Sequence, residues 1–158
     1  MPRWLPGLLV ATLVACLPGV IQAKEESATV FRVIDGDTIE VSVGGRIQKV
    51  RLIGVDTPET VHPNTPVEAF GKEASEFTKR LVAGKPIVLR DELSGQDRDK
   101  YGRLLRYVYL EDGTFVNAEF IKQGYGHAYT RFPFKFLEEF RQLERQAREA
   151  GRGLWGAR

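Results

Sequence analysis

The chain has 158 residues, of which 42% are hydrophobic and 28% charged. This suits one ordinary domain with a real core and excludes a chain too polar to fold. The formal net charge of +2 is too small to declare a nucleic-acid partner, so any basic surface must come from placement of charge rather than excess.

Residues 1–23 read as a targeting segment. Arg3 is the only charge before Lys24. Leu8 to Leu17 is a short apolar run, and Ile21-Gln22-Ala23 fits a small-residue cleavage site. A membrane anchor is the competing reading, but Pro6, Pro18 and Gly19 interrupt a stretch that would need about 20 apolar residues to span. Leu13-Val14-Ala15-Cys16 also resembles a bacterial lipobox, so lipid anchoring through Cys16 stays open beside secretion and a periplasmic location. Cys16 is the only cysteine. Cleavage after Ala23 leaves no thiol for a disulfide, a nucleophile or a metal.

The mature part, 24–158, starts with strand-like runs. Val30 to Val43 is rich in β-branched residues and is broken by Asp35-Gly36-Asp37. Arg46 to Val55 is the next run, and Gly44-Gly45 suits the tight hairpin between them. Asp56 to Phe70 is a long polar loop holding Pro58, Pro63 and Pro66, a length that usually marks function or mobility. Phe70, Ala74, Phe77 and Leu81 give one helical stripe, stopped by Gly84 and Pro86. Ile87 to Arg90 and Arg103 to Leu110 read as strands around a charged loop, Asp91 to Lys100. Asp112-Gly113 turns the chain, and Val116 to Gln123 is a short helix ending at Gly124. The last helix runs from Phe134 to Ala150, with Phe136, Phe140, Leu143 and Ala147 inward and Glu144–Arg148 spaced for an i,i+4 pair. Gly151 stops it, and Leu154-Trp155 folds back. Hairpin-linked strands followed by helices suggest a small barrel with helices outside.

Carboxylates and arginines interrupting apolar strands carry the chemical signal. Asp35 and Asp37 are two apart and share a face in an extended chain, though Asp-Gly is also a favoured turn pair. Val55-Asp56-Thr57-Pro58-Glu59 puts two acids and a carbonyl at the mouth of the long loop. Hard cations such as Ca²⁺ take such oxygen ligands, and a hairpin could bring Asp37 to Asp56; simple loop capping by Asp and Thr competes with that. Arg51 shares a strand face with Ile53 and Val55, and Arg103 with Leu105 and Tyr107. Each guanidinium wants a fixed anion, either a phosphate or an internal acid. His62 and His127 have neither metal-ligand spacing nor a serine partner, which argues against a zinc site and a histidine-based hydrolase.

Taken together, Val33-Ile34-Asp35-Gly36-Asp37-Thr38, Arg51-Leu52-Ile53-Gly54-Val55-Asp56-Thr57-Pro58-Glu59 and Asp99-Lys100-Tyr101-Gly102-Arg103 resemble the staphylococcal (micrococcal) nuclease family. His62-Pro63, Glu73-Ala74-Ser75 and Gln123-Gly124 add to the likeness, which covers about residues 28 to 155. The resemblance implies an α+β fold, a five-stranded oligonucleotide-binding-fold barrel with three helices. It implies a calcium-dependent nuclease acting on DNA and RNA. The sequence shows no strong oligomer interface, so monomer is the default state. Asp37 and Asp56 would be the calcium-ligating carboxylates, with the Thr57 carbonyl as a further ligand and Asp35 as an acid close behind them. Glu59 would be the general base. Arg51 and Arg103 would grip the phosphate, and Lys100 and Tyr101 a neighbouring one. Tyr129 matches the first of a late tyrosine pair that flanks the nucleotide. The second is replaced by Arg131 or Phe132. Two alternatives are a non-catalytic binding module on the same barrel and a hydrolase of smaller phosphodiesters.

Overall fold

The computed structural model describes residues 23–58 and 70–156. The targeting segment up to Gln22, with its Cys16, and the loop residues Glu59, His62 and Pro63 lie outside the described residues.

Five strands close a barrel in the order β1 (Glu25–Asp35), β2 (Thr38–Val43), β3 (Arg46–Leu52), β6 (Leu104–Leu110) and β5 (Pro86–Arg90). All pairings are antiparallel except β3 with β6. A separate two-stranded ribbon joins β4 (Val55–Asp56) to β7 (His127–Ala128). Helices α1 (Gly71–Val82), α2 (Val116–Lys122) and α3 (Leu137–Glu149) pack around the barrel, and a short 3₁₀ turn, Gly153–Trp155, closes the described chain. The expected five-stranded barrel with three helices is therefore the observed one.

The hairpin glycines behave as the sequence implies. Gly44 and Gly45 both take positive φ, 56° and 75°, the backbone of a two-residue turn whose twist matches its strands. Inward residues alternate along the strands: Val30, Ile39, Val41, Val50, Leu52, Ile87, Leu89 and Val108 are buried. Phe120 and Ile121 of α2 and Phe140 of α3 extend this core outside the barrel. Each such side chain contributes about 1.5–3 kcal/mol on burial.

Four expectations change. The run from Arg46 to Val55 is two strands, because the chain turns at Ile53-Gly54 with Gly54 at φ 74°. A Cβ on Gly54 would lie 2.6 Å from the Phe134 ring, so both conformation and space require glycine there. Arg51 consequently shares no continuous strand face with Val55. In α1 the buried positions are Gly71, Ala74, Thr78 and Val82, while Phe70 sits before the helix at φ 76°; Phe77 and Leu81 pack at the margin of the core. The last helix begins at Leu137, not Phe134, because Phe134 and Phe136 are used as packing against Phe140. β7 was not anticipated: two residues carry no periodicity to detect. The expected back-fold of Leu154 is present, its N–H donating to the Gly124 carbonyl at 2.9 Å.

Candidate active site

The acids do not share an extended strand. Asp35 ends β1, Gly36-Asp37 makes the turn, and Thr38 begins β2 opposite Asp35. Both acids are nonetheless buried, each at 7% exposure. A buried carboxylate needs donors, and Asp37 has them on both oxygens. Its Oδ1 accepts from the Thr38 hydroxyl at 2.9 Å. Its Oδ2 accepts from the Thr57 N–H and hydroxyl, both at 3.0 Å, and from Arg51 Nη1 at 2.9 Å. Asp35 accepts the Gly36 N–H at 2.8 Å.

The turn is held from two sides. Thr78 of α1, fully buried, donates to the Gly36 carbonyl at 2.7 Å. On the other side a Cβ at Gly36 would meet the Thr57 side chain at 2.7 Å, so the turn and Thr57 are in contact only because residue 36 is glycine.

Arg51 links this turn to β4. Its Nη1 also donates to the Val55 carbonyl at 2.7 Å, and its Nη2 lies 3.4 Å from Asp56 Oδ1. Asp37 and Asp56 thus converge on one guanidinium. Asp56 is placed by the β4–β7 pairing, Asp56 opposite His127. The internal ion pair, one of the two partners considered for Arg51, is present.

Arg103 stands just before β6, which begins at Leu104 and not, as expected, at Arg103. Its Nε donates to Asp99 Oδ2 at 2.7 Å, and its Nη1 lies 3.4 Å from the Thr38 hydroxyl. Asp99 also accepts the N–H groups of Tyr101 and Arg103. Burial works against the Asp99 carboxylate, but the Arg103 side chain and these backbone donors outweigh it and hold its pKa below the usual carboxylate range. Thr38 therefore stands between Asp37 and Arg103. Sequence reasoning gave no role to Thr38 or Asp99; the signal was present in Asp99's spacing, four residues before Arg103.

These residues border one cleft of about 760 Å³, lined by Arg51, Asp56, Asp99, Lys100, Tyr101, Arg103, Tyr129, Arg131, Phe132 and Phe134. Tyr101 is 70% exposed, with Lys100 Nζ 4.9 Å and the Arg103 guanidinium 5.3 Å from its ring centre. Tyr129 is half-buried in the lining of the same cleft. Its N–H donates to the Gly54 carbonyl at 2.9 Å, and its ring lies 6.1 Å from Phe132. So Lys100, Tyr101 and Tyr129 share the cleft with both arginines and Asp56. Asp37 and Thr57 lie behind Arg51.

A family model described as Staphylococcal nuclease homologue matches residues 49–157. The chain belongs to that family. It is 45% identical over 138 residues to the thermonuclease of Staphylococcus hyicus, covering 87% of this chain and 80% of that protein. Against the thermonuclease of Staphylococcus intermedius the identity is 44% over 135 residues, 84% of this chain and 77% of the other. The endonuclease YncB of Bacillus subtilis is 41% identical over 136 residues, 85% of this chain and 64% of that one.

Within this staphylococcal nuclease homologue the donor set suits a hard cation. Asp37 and Asp56 present carboxylate oxygens toward the same positive group, with no sulfur or imidazole among them. Among the described residues no group of three or more Asp, Glu, His or Cys forms a metal cluster; carbonyl, water and substrate oxygens are further ligands a hard cation accepts.

Proposed function

We propose that this chain is a calcium-dependent endonuclease that hydrolyses phosphodiester bonds in DNA and RNA. The observation that carries it is the convergence of Asp37 and Asp56 on Arg51, with Arg103 joined to Asp37 through Thr38, beside the open cleft that Arg51, Asp56 and Arg103 line. The relatives named thermonuclease and endonuclease support the same activity.

Asp37, Asp56 and the Thr57 carbonyl would hold the Ca²⁺, with Asp35 buried in the same turn. When bound, the ion supplies Lewis-acid polarisation and a template for the phosphate. Arg51 and Arg103 present fixed donors to the non-bridging oxygens, whose negative charge grows toward the transition state. Both guanidinia are already oriented by acids, so little reorganisation remains at reaction. Glu59 removes the proton of the attacking water, a role taken from the family resemblance. Lys100 and Tyr101 receive an adjoining phosphate, and Tyr129 offers a ring for a base. We further propose that residues 1–23 export the protein as a secreted or periplasmic monomer, or as a lipoprotein if Cys16 is acylated. The mature domain is 24–158.

The test is degradation of linear DNA and single-stranded RNA with Ca²⁺ or chelator, with Glu59→Ala beside it. Activity that needs Ca²⁺ and collapses in the variant is expected. Arg51→Ala and Arg103→Ala should each lower kcat by about 10³–10⁵, the range for arginines that stabilise phosphoryl transfer. A folded protein that binds DNA without cutting it would instead be a binding module.

A further inference from the structure

We propose that cleavage after Ala23 gives this protein an ion pair that the uncleaved chain lacks: the new α-ammonium group of Lys24 seats on the Asp91 carboxylate, at the end of the seam between β1 and β5. The inference rests on the proposed removal of residues 1–23 and is independent of the nuclease reading.

The place follows from strand register. β1 and β5 pair from Glu25↔Arg90 to Thr29↔Pro86, which sets Lys24 opposite Asp91, one step beyond the ladder. The Asp91 N–H still donates to the Lys24 carbonyl, at 3.4 Å. Opposed residues at such a position of an antiparallel pair exchange two backbone bonds. The return bond is different here: the Lys24 N–H donates to the Asp91 side chain, at 2.8 Å from Oδ1. Asp91 thus holds the nitrogen that cleavage would free.

Charge gives the reason. The neighbouring charged groups are already matched. Lys24 Nζ lies 2.9 Å from Glu26 Oε1, Arg106 lies 3.8 Å from Glu26 Oε2, and Arg90 lies 2.7 Å from Glu25. Among the described residues Asp91 has no ion pair, and the neutral Lys24 N–H is the donor to its carboxylate. Asp91 is partly buried, and a carboxylate in that position facing an amide is short of a cation. Hydrolysis supplies one. Under a processing peptidase, water adds across the Ala23–Lys24 bond; the Ala23 carboxylate leaves with the leader, and the Lys24 nitrogen takes up a proton. The nitrogen stays beside Asp91, but the bond between them becomes one between opposite charges, roughly twice as strong as a neutral one.

The experiment uses the full chain expressed in a bacterium that processes exported proteins, with the exported product purified as it forms. Its intact mass and N-terminal peptide should begin at Lys24. A product that begins at Cys16 or at any other residue fails the processing reading and overturns the ion pair with it. A product that begins at Lys24 is acylated at about pH 7 and about pH 10, either side of the ordinary α-amino pKa of about 7.7–8.0. Fragmentation of the N-terminal peptide separates α-amine from Nζ labelling. At the lower pH the α-amine of folded wild type should label about two- to fivefold more slowly than that of Asp91→Asn, the range an exposed ion pair sets on an amine. At the higher pH the amine is neutral and the two rates should agree. Asn keeps the oxygen acceptor, so the comparison isolates charge. Wild type labelled in urea should match the variant at the lower pH, which repeats the test without a substitution. Equal folded rates at the lower pH overturn the ion pair. A difference that persists at the higher pH is shielding by shape and also overturns it. DNA cleavage by the same product, measured beside the labelling, reports on the nuclease reading alone.

Discussion

Asn117 replaces a strand that the barrel lacks, and its removal should be costly. β3 pairs with β6 only from Val50↔Leu104 to Leu52↔Arg106. Beyond that point Gly54 turns β3 away, and the edge of β6 faces α2. The fully buried Asn117 fills the gap: its Oδ1 accepts the Val108 N–H at 2.9 Å, and its Nδ2 donates to the Ile53 carbonyl at 2.9 Å. A longer contact reaches the Arg106 carbonyl at 3.3 Å, but that oxygen keeps the Ile53 N–H at 3.1 Å. Asn117→Ala therefore leaves two backbone groups without their partners. At about 1–3 kcal/mol for each buried unsatisfied group, the expected loss is about 4 kcal/mol. For a chain of this size that is a fall in Tm of about 8–16 °C. Urea unfolding gives the number directly, with an unchanged m-value as the check on two-state behaviour. A loss below about 1 kcal/mol would refute the argument, since water or a backbone shift would then serve the β6 edge equally well.

Three other outcomes follow from the geometry. Gly36→Ala puts a Cβ 2.7 Å from the Thr57 hydroxyl; Thr57 must move off Asp37, and calorimetric Ca²⁺ affinity should fall about tenfold, as for lost ligand-supporting bonds. Asp99→Asn removes the charged partner of Arg103 Nε and should cut kcat about 100-fold, the scale of a misplaced reacting group, with the melting midpoint as the control for folding. Glu92 ties β6 to the segment before α3 by accepting from the Tyr107 hydroxyl and the Lys135 N–H. Burial opposes its charge, but the Tyr107, Lys135 and Ser94 donors outweigh it, so its pKa is lowered on folding. Its stabilisation is therefore complete above the unfolded value of about 4.3 and is lost as pH falls through the lower folded value. Glu92→Gln should flatten the acid limb of a stability–pH profile; an unchanged limb would show that the carboxylate contributes nothing.

By itself the sequence determined the pattern of elements and the chemistry gathered at the site. The β-branched run that forms β1 and β2, the Gly44-Gly45 turn and the α3 stripe are local properties, so each residue carries its own signal. The acid and arginine motifs were legible for the same reason: charged groups inside apolar runs are rare enough to stand out. Tertiary structure alone decided what those groups touch. No spacing predicts that Arg51 joins Asp37 to Asp56, that Thr38 stands between Asp37 and Arg103, or that Thr78 of a distant helix holds the Gly36 carbonyl. Those contacts depend on where Gly54 breaks a strand and on a two-residue ribbon, Val55–Asp56 with His127–Ala128, too short to have a period. The break follows from Phe134 and Phe140 packing over Gly54, residues about 80 positions away whose approach exists only once the barrel has closed.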